Sequence, residues 1–195
     1  MFKKRFFKKT IPILMAVIMS VTIFAGCGAS RSGPEQAFRD ITEAYLEGKT
    51  ATVRALSADP CSALCESAFL YDDDNECYEA YDNRFKTELQ QLEEEYGKKL
   101  KLKYKIINVT EYSQDEIDAL NKCISEKWGK LYEGCAIQEL QVLEIETTLK
   151  GRDGKNTETN EYSFYKMDDK WYVGGIFFLP DIDSMENAIE QYSKK

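Results

Sequence analysis

Thiols, phenols and carboxylates are the reactive groups open to this chain, which has six cysteines, twelve tyrosines, 34 acidic residues and no histidine. The missing imidazole removes Ser-His-Asp and Cys-His catalysis, His-containing zinc sites and the commonest general base. Any proton transfer would fall to carboxylates, tyrosines, lysines or a thiol. Neither standard glycine-rich phosphate loop occurs, so nucleotide chemistry is not expected. One thiol stands apart from the others: Cys27 closes the run Phe24-Ala25-Gly26-Cys27 directly after a basic and then apolar N-terminus.

Lys3, Lys4, Arg5, Lys8 and Lys9 precede that run without an acid among them, and Ile11 to Phe24 is apolar except for Pro12, Ser20 and Thr22. A charged segment followed by a short apolar one is the layout of an export signal. A membrane-spanning helix needs about 20 apolar residues, and here the small residues Ala25, Gly26, Gly28 and Ala29 begin too early for one. Phe24 to Cys27 resembles a lipobox, in which the cysteine sulfur takes up a diacylglyceryl group before cleavage makes that cysteine the new N-terminus. The resemblance implies a signal peptide over residues 1–26, a bacterial lipoprotein anchored by acyl chains (palmitate and its like) on Cys27, and an extracytoplasmic, membrane-tethered location. Two acyl chains, at about 0.8 kcal/mol per buried methylene, hold a soluble domain far more durably than one.

Loss of residues 1–26 takes away five basic groups and no acid, so the remaining chain has 21 basic against 34 acidic residues and a net charge of −13. Such a surface repels nucleic acid and anionic membrane, and nucleic acid is not an expected partner. Residues 27–33 are small and polar enough to serve as a flexible tether, and residues 34–195 suit one domain.

The elements that would position any site can be read from periodicity. Pro34, Ala37, Phe38, Ile41, Ala44 and Tyr45 predict a helix stopped by Gly48, and Thr52–Ser57 a short second one. Asp59-Pro60 begins a third pattern carrying Cys61, Leu64, Cys65, Ala68 and Phe69. After an acidic loop from Asp72 to Glu76, a long helix runs from Tyr78 to Gly97. Leu100, Leu102, Tyr104 and Ile106 alternate with Lys99, Lys101, Lys103 and Lys105, which predicts a strand with a lysine face and a bulge where the phase slips at Ile106-Ile107. Ser113 and Glu116 form a capping box for the next helix. Strands over Cys135–Lys150, Asn156–Met167 and Lys170–Leu179, turning at Asp153-Gly154 and Asp168-Asp169, lead to a last helix capped by Asp183 and Glu186. Helices grouped apart from an antiparallel meander give an α+β fold.

Two segments, Pro34-Glu35-Gln36-Ala37-Phe38 through Tyr45-Leu46-Glu47-Gly48-Lys49 and Asp169-Lys170-Trp171-Tyr172-Val173, resemble the nuclear-transport-factor-two-like superfamily, shared with ketosteroid isomerase. That resemblance spans about residues 34–179 and implies a cone-like, curled antiparallel sheet of about four strands wrapped around N-terminal helices. In relatives the cone mouth holds a small molecule or a partner. Fold alone does not assign chemistry.

Against that frame the candidate site is the aromatic set, with Tyr45, Tyr104, Tyr162 and Trp171 foremost, since tyrosine joins an apolar ring to a polar tip. The plain alternative is that these rings are core. Five cysteines besides Cys27 permit at most two bridges in an exported protein, one from Cys77 to either Cys65 or Cys61 and one from Cys123 to Cys135, with small apolar packing as the alternative. Neither a metal site nor a cofactor is expected: the cysteine spacing lacks the paired short intervals of structural zinc sites, and the acidic loop has Cys77 and Asn83 where a calcium loop needs Gly and Glu. The lysine face would suit an envelope polyanion, though protection of an exposed strand accounts for it more simply. The leading expectation is a non-enzymatic, tethered envelope domain that binds a small molecule, a glycan or an envelope protein. The alternatives are an isomerase or lyase using a carboxylate and a tyrosine, and a structural or regulatory lipoprotein with a filled cone.

Overall fold

The computed structural model describes residues 33–57, 74–128, 136–174 and 182–193, with side chains at 74–78 and 127–128 excepted. Cys27, Cys61, Cys65, Cys135 and the helix expected from Asp59-Pro60 lie outside them. The described chain is α+β, with five helices and an open four-stranded antiparallel sheet in the order β1-β2-β3-β4.

Helix α1 (Pro34–Leu46) starts on a proline whose missing N–H would have had no partner in a first turn. It ends where Gly48 takes φ +69, letting Lys49 N–H reach back to Ala44 O at 2.8 Å. Helix α2 (Thr50–Ser57) follows at once and presents Val53, Leu56 and Ser57 inward. Helix α3 (Asp74–Tyr96) begins four residues before the expected Tyr78. Asp74, Asn75 and Glu76 therefore form its first turn and do not belong to a loop.

Strand β1 (Lys101–Glu111) starts later than expected, because Lys99 sits at φ +64 in the turn that follows Gly97. Its register against β2 slips between Ile106 and Asn108, which places the bulge at Ile107. Helix α4 (Gln114–Trp128) carries the capping contact: both Ser113 N–H and Ser113 Oγ donate to Glu116 Oε2, at 2.8 and 2.7 Å.

Strand β2 (Glu139–Lys150) begins four residues after Cys135. The cause is Asn121 on α4, whose side chain donates to Ile137 O and accepts from Ile137 N–H, both at 2.9 Å, so that Ile137 is held to the helix instead of the sheet. Strands β3 (Lys155–Met167) and β4 (Lys170–Val173) join through Asp168 and Asp169, whose φ values of 48° and 57° are those of a two-residue hairpin turn. Within the described residues β4 ends at Val173, short of the expected Leu179. Helix α5 (Ile182–Ser193) starts before Asp183, which thus lies in its first turn and not at its cap.

Pairing register and the two-residue period of strands sort the side chains onto two faces. One carries Leu102, Tyr104 and Ile106, then Leu143, Ile145, Thr147 and Leu149, then Tyr162 and Phe164, and finally Trp171 and Val173, and it packs against α1, α2 and α3. The other is apolar only at one end. There Leu140, Val142, Tyr165, Met167 and Tyr172 meet Ile117 and Leu120 of α4 and Met185 and Ile189 of α5. Helices thus lie on both faces of the sheet, α1 to α3 on one and α4 and α5 on the other.

Candidate functional site

Tyr104, Tyr162 and Trp171 project from β1, β3 and β4 toward α1, and Tyr45 belongs to α1 itself. The structure therefore brings all four expected pocket residues into or against one apolar cluster. What lies among them is Phe38, fully buried. Its ring centroid is 5.3 Å from that of Tyr104 in an edge-to-face arrangement, 5.2 Å from that of Tyr162, and 6.5 Å from that of Phe164. These are contact distances for aromatic pairs. Phe38 fills the space between the two strand tyrosines.

Tyr104 and Tyr45 are committed to acids of the helices that cover them. Tyr104 OH donates to Glu35 Oε1 at 2.9 Å, and burial followed by that carboxylate pushes its pKa up to about 12. Tyr45 OH faces Glu88 Oε2 at 3.4 Å, and its ring meets Phe85 edge-on at 5.9 Å. Burial and Glu88 raise its pKa well above the ordinary phenol value. Beside it, Gly48, Thr50, Val53, Phe85, Lys86 and Leu89 enclose a cleft of about 10 Å³, room for about one water molecule. A drug-sized ligand needs about 300 Å³ or more.

Tyr162 differs from these. It is 7% exposed, and its buried hydroxyl makes no hydrogen bond of good geometry, with the Asn160 amide as its polar neighbour. Four residues earlier on the same face, Glu158 Oε1 is likewise buried without a partner, and burial raises the carboxyl pKa. Asn160 stands between them, and its amide favours the ionised form of both. Burial first, and then the Glu158 charge, bring Tyr162 up to about 12. Tyr96, from the end of α3, adjoins the same carboxylate, and Thr147 Oγ1 reaches Glu158 O at 3.5 Å. A carboxylate, an amide and a phenol on alternate positions of one strand is the grouping that proton transfer would need.

Glu158 and Asn160 were not among the expected site residues. The signal was present in Asn156, Glu158, Asn160 and Tyr162, which recur every second residue and must share a face with the buried tyrosine. That signal was obscured by Thr157, Thr159 and Glu161, which make the whole segment look solvated.

Cys123 is half-buried on α4 and carries a free thiol, facing the Tyr192 hydroxyl of α5. Cys135, its expected bridge partner, lies outside the described residues. Cys65 and the Cys77 side chain fall outside the described residues. Among the described residues no group of three or more metal-binding side chains gathers, and no helix is long and apolar enough to cross a membrane.

No protein family, curated protein or solved structure matches this chain.

Proposed function

We propose that this chain is a lipid-tethered envelope lipoprotein, held at the membrane through Cys27, whose folded domain works by contact at its surface and not by turnover in its interior. The observation that carries the second half is Phe38, which fills the space between Tyr104, Tyr162 and Phe164. On this reading the fold is a filled relative of the nuclear-transport-factor-two-like cone, with α1 as its plug. The tether rests on the Phe24-to-Cys27 run and the basic and apolar segment before it. Its partners would be a glycan or another envelope protein met from outside. The test is titration of a fluorescent apolar probe, anilinonaphthalene sulfonate, into the chain from Cys27 onward at neutral pH. The expected result is no saturable site. One-to-one binding that quenches Trp171 emission would contradict a filled interior.

A second reading, an isomerase or lyase, is favoured by one observation, the Glu158-Asn160-Tyr162 row with its raised carboxyl pKa. In it Glu158 would take a proton and Tyr162 would donate a hydrogen bond to the developing oxyanion. It requires that Tyr96 or α1 move aside for substrate. Saturable binding of a phenol or steroid that is lost in Glu158→Gln and Tyr162→Phe would establish it.

A further inference from the structure

Strand β1 is the longer of the sheet's two outer strands, 11 residues against four in β4, and among the described residues it has one neighbour, β2. Its open side is unevenly defended. Lys101, Lys103 and Lys105 lie on the face away from Phe38, Lys101 in a row with Lys150 and Lys155, and they alternate with Leu102, Tyr104 and Ile106 on the Phe38 face. Beyond the bulge that alternation is inverted. Asn108 and Thr110, opposite Glu144 and Val142, take the lysine face, while Val109 and Glu111, opposite Leu143 and Gln141, take the other. Ile107 and Val109 are each 46% exposed and are the large hydrophobic side chains left open to solvent among the described residues. An apolar stretch on a free edge is a template for another strand.

The backbone obeys the same inversion. Tyr112 N–H donates to Leu140 O at 3.2 Å, so by alternation Asn108 and Thr110 turn their peptide groups to β2, and Val109 and Glu111 turn theirs outward. At the hairpin Gly151 N–H donates to Gly154 O at 2.9 Å, which turns Lys150, Thr148 and Glu146 toward β1. Lys101, Lys103 and Lys105 are therefore the residues bonded to them, and the peptide groups of Leu102 and Tyr104 face the open edge. Outward groups thus sit on even residues before Ile107 and on odd residues after it. A regular strand laid along this edge is matched on one side of the bulge and mismatched on the other. A strand with the same bulge at the mirrored position is matched on both. Antiparallel pairing with a second β1, its two-fold axis between Ile106 and Ile107, meets that condition. Tyr104 then stands opposite the partner's Val109 and Leu102 opposite the partner's Glu111, all with outward peptide groups, while Lys105 faces the partner's Asn108 and Lys103 the partner's Thr110. No lysine faces a lysine, whereas parallel pairing in register would oppose all three to their copies. The same register lays Lys99 and Lys101 beside the end of the partner's strand, where Glu111 and the first turn of α4, with Asp115 and Glu116, carry negative charge.

We propose that the open edge of β1 is a self-association surface, joining two copies of this chain about a two-fold axis into one continuous sheet. At the axis the Ile106-Ile107 pair of each copy meets that of the other, and the half-buried Tyr104 covers the partner's exposed Val109. The lysines and the bulge then act as selectors: they reject foreign strands and shifted registers and admit the mirrored copy. The pairing does not depend on lipid at Cys27, so it stands or falls apart from the tether.

The test uses the chain from Cys27 onward with Cys27→Ser, which keeps every described element, at neutral pH under reducing conditions. Sedimentation velocity from about 5 μM to about 500 μM should show a coefficient that rises with concentration and levels off at the value of a dimer. Val109→Lys places a charge opposite Tyr104 twice in each dimer and should weaken association at least about tenfold. Its thermal midpoint at the lowest concentration should stay within about 2 °C of the parent, because Val109 is an exposed position, and that separates lost pairing from lost folding. Lys105→Cys/Asn108→Cys should form a covalent dimer on mild oxidation, since the two positions face each other across the axis, and neither single variant should exceed the background set by the chain's other cysteines. A monomer throughout the range would overturn the proposal. So would a dimer that Val109→Lys leaves intact or that the paired cysteines fail to cross-link, because association would then use another surface. Growth past the dimer would overturn it as well, since pairing about a two-fold axis closes.

Discussion

Replacing Phe38 with alanine tests whether the interior is filled by the chain itself. Phe38 is fully buried and has three aromatic neighbours with ring centroids between 5.2 and 6.5 Å away. Truncation leaves on the order of 100 Å³ of space at about 24 cal/mol per Å³, or about 2.4 kcal/mol, and the lost transfer energy brings the cost to about 4 kcal/mol. The neighbours cannot close the gap easily, because Tyr104 is tied to Glu35 and Phe164 is paired in the sheet to Gln141 and Val173. For a domain of this size, each kcal/mol moves the midpoint by about 2–4 °C, so Tm should fall by about 8–16 °C. Urea unfolding at neutral pH gives the free energy directly, with an unchanged slope if the fold is retained. Phenol should restore part of the loss, since a dry cavity accepts a small ring. A cost below about 1.5 kcal/mol without a change in slope would refute the reasoning, because it would mean that Phe38 borders open space.

Glu158→Gln should stabilise the fold at neutral pH by about 1 kcal/mol, the low end for a buried group without a partner because the side chain is partly exposed. With a folded pKa above its unfolded value, the folded state binds the extra proton. Wild-type stability should therefore decline as pH rises from about 4.5 through the raised pKa, and the variant should lack that decline in paired urea titrations. Gly151→Ala should unfold the hairpin end, because a Cβ there would lie 2.1 Å from Tyr96 O, backbone that α3 holds in place. Calorimetry should show a loss above about 3 kcal/mol, and a loss under about 1 would mean that the α3 terminus is free to move.

The helices were legible where period and punctuation agreed. Pro34 and Gly48 bracket α1, and the Ser113 and Glu116 pair starts α4, because both rest on local backbone chemistry. The Ile107 bulge was legible for the same reason, as a slip in alternation. The strand ends were not, since the start of β2 depends on Asn121 gripping Ile137 from a helix sixteen residues away. Nor does any local pattern say that α4 and α5 cover the second face of the sheet. Tyr45, Tyr104, Tyr162 and Trp171 pack in or against one cluster, and what lies between the strand tyrosines is one side chain, Phe38, which looked like an ordinary helix position. The row Lys101-Lys150-Lys155 is a product of register alone, invisible until three strands are aligned.

The central claim is that this domain sits at the membrane by a lipid on one thiol, and mass spectrometry of the chain's N-terminal peptide from a membrane fraction tests it most directly. The account predicts a mature N-terminus at Cys27 carrying a diacylglyceryl mass on sulfur, with both cleavage and lipid absent in Cys27→Ala. A peptide that reads unmodified through Gly26-Cys27, or a mature terminus at another residue, would contradict it.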